Sequence, residues 1–288
     1  MNSRISIFFL SLLSIHVACA EEIRMAASDL LAGFITPPLK LYAEENDLAL
    51  TIDSIGSLPA MDRLRSDEID LAIVAFPEGS EVPRSEFSLY PFAYDSAVVA
   101  VNSINPVNEI SLPRLGGIFG SSEEFSFNTW GELGLSGWRT RNIKPLAGPA
   151  EGSISLELFR HAVLSGRTMK PSVAILRNSE IEGAIASNIA SIGILSAIPE
   201  NKNLKVLMLS EGPDSSAYGP TSDNIHRGDY PIRLGFYIVY NSRDEDKVRP
   251  VLRALLGEQI STTLSKNYLF PLPDTVRSQF LIDLNFRD

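Results

Sequence analysis

The chain has 288 residues, 44% of them hydrophobic, with a formal net charge of −10 and one cysteine. That length is enough for two lobes of ordinary domain size, each burying its own core without disulfides. The acidic balance argues against nucleic acid or an anionic membrane surface as a partner, since both attract clustered Lys and Arg. It leaves a small anionic ligand open, because charge beyond a Debye length of ~8 Å is largely screened and local donors decide binding.

At the N-terminus Arg4 precedes an apolar run over residues 5–13, followed by the small residues Ala18-Cys19-Ala20. This is the pattern of a secretory signal peptide over residues 1–20, cleaved near Ala20 to leave about 268 residues. The run is shorter than the about 20 residues a permanent span needs. The mature protein is therefore expected to be periplasmic or secreted. Lipidation at Cys19 is the alternative, but His16 stands where a lipoprotein signal carries a Leu-like residue. Cleavage after Ala20 removes the only cysteine, and with it any disulfide or thiolate chemistry.

From residue 22 onward short β-branched runs alternate with helical patterns, which reads as α/β units on mainly parallel sheets. A strand over 23–27 ends at Ser28-Asp29, a helix-capping pair, and 39–46 reads as helix. Pro37-Pro38 interrupts that pattern. A proline inside a helix costs about 3 kcal/mol or more, so a break or kink is expected there. A strand over 48–54, a helix opening at Ser57 with Leu58, Met61 and Leu64 on its apolar side, and a buried strand over 70–76 complete a βαβαβ half.

A strand over 92–101 follows, and its end at Asn102 is the expected crossing into a second lobe. That lobe reads as a helix over 112–119, a loop around Trp130, a helix over 156–165, a strand over 172–176, a helix over 179–187 and a short strand over 192–195. Residues 211–227 are rich in Gly, Pro, Ser and Asp and read as loop. A strand over 232–240 and a closing helix over 248–264 return to the first lobe. The expected lobes are 21–101 with 225–288, and 102–224.

Three segments put Ser or Gly where a strand hands over to a helix: Ser28, Ser57, and Gly152-Ser153-Ile154-Ser155. The first amides of a helix lack an intrahelical acceptor and carry the positive end of its dipole, so hydroxyls and amides converging there bind an oxyanion without a full charge. In an open α/β sheet such ligands sit outside the carboxyl ends of the strands. Each serine alone is equally an ordinary N-cap. Three in this order are more informative.

Few other groups offer chemistry. After cleavage only His161 and His226 remain, with no metal cluster and no cofactor implied. The nucleophile elbow, the phosphate-binding loop, the dinucleotide fingerprint and the zinc-protease motif are all absent, which argues against an enzyme. Arg227-Gly228-Asp229, followed by Tyr230-Pro231, reads as a turn.

Eight stretches in one order resemble the phosphate-binding proteins of ABC transporters, within the type II periplasmic binding-protein fold. They include Ala27-Ser28-Asp29, Ser54-Ile55-Gly56-Ser57, Ile69-Asp70-Leu71-Ala72, residues 97–102 with Asn105-Pro106-Val107, Asn128-Thr129-Trp130, Glu151-Gly152-Ser153-Ile154-Ser155 and Ser191-Ile192-Gly193-Ile194. The return segment is Asn224-Ile225 with Gly228-Asp229-Tyr230-Pro231 and Tyr237. The resemblance implies a two-lobed, monomeric solute-binding protein whose lobes close on phosphate or a related small oxyanion and that delivers it to a membrane permease. Carried onto this chain, the ligand residues are Ser28, Leu30, Leu31, Ser57, Ser153, Ile154 and Ser155, with the amides of Leu31 and Ile154 as backbone donors.

Three departures stand out. The family's third loop carries an Arg where this chain has Pro149, its third strand ends in a polar or acidic residue where this one has Val74-Ala75-Phe76, and Leu30 stands at a Thr position. Arg139 and Arg141 are the nearby cations available to replace the Arg. Two other classes stay open: a sensor or interaction module of the same fold with a degenerate anion site, and an exported hydrolase using Ser153 or Ser155 with His161 or His226.

Overall fold

The computed structural model of the protein describes residues 21–77, 83–121, 125–148 and 154–285. The first part runs β1 (Ile23–Ala27), α1 (Asp29–Glu45), β2 (Leu50–Ser54), α2 (Ser57–Arg65), β3 (Leu71–Phe76) and β4 (Ser88–Ser96). The middle runs β5 (Val98–Asn102), β6 (Glu109–Ser111), α3 (Leu112–Phe119), β7 (Lys144–Ala147), α4 (Ser155–Phe159), β8 (Ala174–Ile175), α5 (Asn178–Ser187), β9 (Ser191–Leu195), β10 (Leu204–Val206) and β11 (Met208–Ser210). The last part runs α6 (Ser222–Arg227), β12 (Arg233–Tyr240), α7 (Glu245–Leu255), α8 (Glu258–Lys266), β13 (Phe270–Pro271) and α9 (Asp274–Asn285).

Two sheets carry the fold. One has the order β13-β4-β12-β3-β1-β2 and the other β10-β5-β9-β7-β8, with β11 and β6 forming a small pair. The expected two-sheet α/β architecture is present, and each sheet is mixed. The parallel part is β2-β1-β3 in the first and β8-β7-β9 in the second. Antiparallel strands extend both, because the strands that carry the chain between sheets run against the βαβ units.

The chain leaves the first sheet after Ser96 and enters the second at Val98. The single strand expected over 92–101 is thus two strands in different sheets, and the crossing lies at Ala97 rather than at Asn102. A single residue joins the two strands, so no loop marks this change of partner in the sequence. Asn102 instead closes the end of α5, donating to the carbonyls of Ile185 and Ala186 at 3.1 and 2.8 Å. Beside Ala97 the two crossings are bonded to each other: Ser96 Oγ donates to the Ile232 carbonyl at 2.8 Å, and the buried Tyr230 hydroxyl to the Ala97 carbonyl at 2.9 Å.

Other expectations shift for local reasons. Helix α1 runs through Pro37-Pro38 without ending. The carbonyls deprived of their donors belong to Gly33 and Phe34, both exposed to water, while Leu31, Ile35, Leu39 and Ala43 bury the opposite face. Leu58 is 80% exposed, and α2 packs through Ala60, Met61 and Leu64 instead. The closing helix is two helices, parted where Gly257 takes an extended conformation. The 211–227 segment holds α6, capped by Thr221 and ended by Gly228 at φ +87°, so Arg227-Gly228-Asp229 forms the turn expected. Trp130 is wholly buried and donates to the Ala190 carbonyl at 3.0 Å.

Replacing Tyr230 by Phe removes one buried bond between the crossings and leaves the Ala97 carbonyl unpaired. Tyr230→Phe is expected to lower the unfolding free energy by about 1–2 kcal/mol in denaturant titrations.

Candidate functional site

Strands β1 and β2 pair in parallel with Ala27 opposite Ser54, so α1 and α2 begin side by side at one edge of the first sheet. Ser28 precedes α1. It is 1% exposed, yet its hydroxyl has no hydrogen-bond partner among the described residues and does not cap its own helix. Its backbone is held firmly, with its N–H on the Ile73 carbonyl and its carbonyl accepting from Leu31 and Ala32, each at 2.8–2.9 Å. Leu31 is fully buried and its amide is engaged in this way. The amides of Asp29 and Leu30 have no acceptor among the described residues, so Leu30 offers its backbone while 38% of the residue is exposed.

Helix α2 mirrors this. Ala60 donates to the Gly56 carbonyl and Pro59 has no N–H, which leaves the amides of Ser57 and Leu58 as its free donors. The Ser57 hydroxyl accepts from the Ala75 amide at 2.9 Å. That bond latches α2 to the end of β3 and turns the hydroxyl proton outward for another acceptor. One buried hydroxyl, a second oriented hydroxyl and four amides therefore gather at two adjacent helix starts.

The end of β3 is closed by aromatic rings. Phe76 packs against Tyr237 of β12 with centroids 5.6 Å apart, and Tyr237 lies across Gly235, where a Cβ would come within 2.8 Å of the ring. Among the described residues no carboxylate stands there. In the second sheet, Ser155 is buried at the start of α4 and Ile154 is half-buried just before it. Helix α4 packs against both β9 and β4, which brings Ser155 to the crossing. Ser153 and Pro149 lie outside the described residues.

Arg139 and Arg141 are at the wrong end. Both precede β7, whereas the loop leading to Ser155 follows it, and four residues of strand separate the ends by about 13 Å. Arg141 instead stacks on Trp138, 4.7 Å from the ring centroid. His161 is exposed, and His226 meets the Tyr94 hydroxyl at 3.1 Å. Two grooves, of about 970 and 780 Å³, lie around α8, β13 and residues 195–198 and contain none of the predicted ligand residues. No metal-binding group of His, Cys, Asp and Glu occurs among the described residues.

A family profile described as a PBP superfamily domain matches residues 12–261. The chain belongs to the PBP superfamily. It is 21% identical over 204 residues to the phosphate-binding protein PstS of Pseudomonas aeruginosa, an alignment covering 67% of this chain and 63% of that protein, less than two thirds of its length. The fold matches that of PstS from Borrelia burgdorferi, with a TM-score of 0.70 at 16% identity, covering 88% of this chain and all of that one. It also matches a possible phosphate binding protein from Planctomyces limnophilus, with a TM-score of 0.68 at 17% identity, covering 92% and 98%. These likenesses establish the PBP architecture, and the two relatives named with a ligand are binding proteins.

Sequence reasoning missed one group in this PBP chain. Asp95, near the end of β4, accepts from the Ser96 amide at 2.7 Å and pairs with no cation among the described residues. Burial pushes its carboxyl up to about 6, against the smaller opposing effect of that hydrogen bond. The folded state thus holds the proton more tightly than the unfolded chain. Stability present below about pH 4 is lost as pH rises through about 6, amounting to up to about 3 kcal/mol. Asp95→Asn is expected to raise Tm at pH 8 and to leave it nearly unchanged at pH 4, as followed by thermal melts across that range.

Proposed function

We propose that the chain is an exported solute-binding protein whose two lobes close on phosphate or a related small oxyanion and deliver it to an ABC transporter permease. The observation that carries this reading is the Ser28 hydroxyl, buried at the head of the 17-residue helix α1 without a protein partner. Its oxygen is not sealed from solvent, so a ligand can reach it and take up its unused hydrogen bond. The unengaged amides of Asp29, Leu30, Ser57 and Leu58 surround it with donors of the sign an oxyanion needs.

Ser155, with Ser153 and the amide of Ile154, closes the ligand from the second lobe in this reading, and the crossings at Ala97 and ahead of β12 serve as hinges. The names of the relatives support phosphate as the ligand and transport as the setting. The signal-like N-terminus supports a periplasmic or secreted location, and no described helix is long and apolar enough to cross a membrane. The donor-rich helix starts favour this reading over an interaction module with a degenerate site.

Isothermal titration of the mature protein with phosphate, with sulfate as control, tests the reading. Micromolar or tighter binding of phosphate is expected, weakened about 10–100-fold in Ser28→Ala, the equivalent of one hydrogen bond to a charged group. Absence of binding by the wild type overturns it.

A further inference from the structure

Asp95 occupies an unusual place for a carboxyl group without a cation. It lies opposite Leu234 at the start of β12 and two residues before Ala97, where the chain passes between sheets. The bonds between Ser96 and Ile232 and between Tyr230 and Ala97 tie the two crossings together beside it. Helix α4, which begins at Ser155, packs on the same strand. Asp95 therefore lies on the strand that runs into the hinge and against which α4 packs.

The charged groups of the elements around it are committed elsewhere. On β12, Arg233 lies 5.5 Å over the Tyr94 ring and donates to the Ile225 carbonyl at 2.6 Å. On α6, His226 meets Tyr94 and Arg227 pairs with Asp229 at 3.1 Å, while Asp223 is exposed. On α4, Glu157 and Arg160 pair with each other at 3.1 Å on the exposed side. Strands β5 and β13 contribute no ionisable side chain at this point. Among the described residues no cation neutralises an ionised Asp95.

We propose that Asp95 is a positioning residue that couples oxyanion binding to proton uptake: the cleft closes on its ligand with Asp95 protonated, and an ionised Asp95 opposes closure. The inference rests on the oxyanion reading above. Two costs fall on the ionised form together. Closure about the crossings removes solvent from Asp95, and it brings a like charge onto the helix packed against β4. The elevated protonation of Asp95 in the unliganded protein is in keeping with this. A receptor built this way binds more tightly as the medium acidifies.

Phosphate titrations of the wild type, Asp95→Asn and Asp95→Ser between pH 5.5 and 8 test the coupling. Phosphate itself titrates in this range, but its contribution is common to all three proteins and cancels in the affinity ratio. The wild type is expected to lose about tenfold more affinity than the neutral variants as pH rises, a typical coupling between two sites. At pH 6.5, in buffers of different ionisation enthalpy, it is expected to take up more protons on binding than they do. Parallel pH profiles with equal proton uptake overturn the coupling while leaving the oxyanion reading intact. A wild type that binds no phosphate at any pH overturns both. If neither neutral variant folds, the wild-type proton count decides, and uptake no greater than phosphate's own titration supplies overturns the coupling.

Discussion

The parallel register of β1 with β2 and β3 is the constraint on which the site depends. With Ala27 opposite both Ser54 and Ile73, β1 and β2 end level with one another while β3 runs on to Phe76, and the helices that follow the first two must start together. Ser28 and Ser57 are neighbours for that reason and not through any attraction of their own. The fit is locked from both sides: Ser28 hangs its N–H on Ile73 of β3, and Ser57 accepts from Ala75 of the same strand. A one-residue slip in either ladder exchanges buried and exposed faces and separates the two helix starts.

A cradle of this type binds charge without carrying any. Hydrogen bonds to charged groups contribute about 1.5–3 kcal/mol each, so four or five of them match the ~8 kcal/mol a micromolar Kd requires, before the cost of closing the lobes. The helix dipoles add the equivalent of roughly half a unit charge at each start. The aromatic pair Phe76 and Tyr237 then acts by excluding water where other chains of this architecture place a polar group, which strengthens the remaining donors by lowering the local dielectric. The formal charge of −10 is spread over the surface and is compatible with such a site.

Much of this was legible in the sequence where local chemistry decides the outcome. Strand β1 with the Ser28-Asp29 handover, the start of α2 at Ser57 and the whole of α3 follow from periodicity and capping residues. What escaped depends on partners distant in the chain. The change of sheet at Ala97 falls between two strands joined by that one residue, with no loop to mark it. Leu58 fits the apolar spacing of α2, but the helix turns Ala60, Met61 and Leu64 inward and leaves Leu58 in solvent. The prolines of α1 were misjudged because the cost of an interrupted helix depends on whether the freed carbonyls reach water. Asp95 read as one polar residue in a strand, and only the topology reveals that it stands at a crossing.

The central claim is that the oxyanion sits on the starts of α1 and α2. Residue-resolved amide hydrogen exchange with and without phosphate tests it most directly, since it reports on the donors themselves. The account predicts slowed exchange at Asp29, Leu30, Ser57 and Leu58 on binding, with little change at the amides of Leu31 and Ala32, which are already bonded to Ser28. Phosphate binding that leaves those four amides unaltered would contradict it and move the ligand to another part of the molecule.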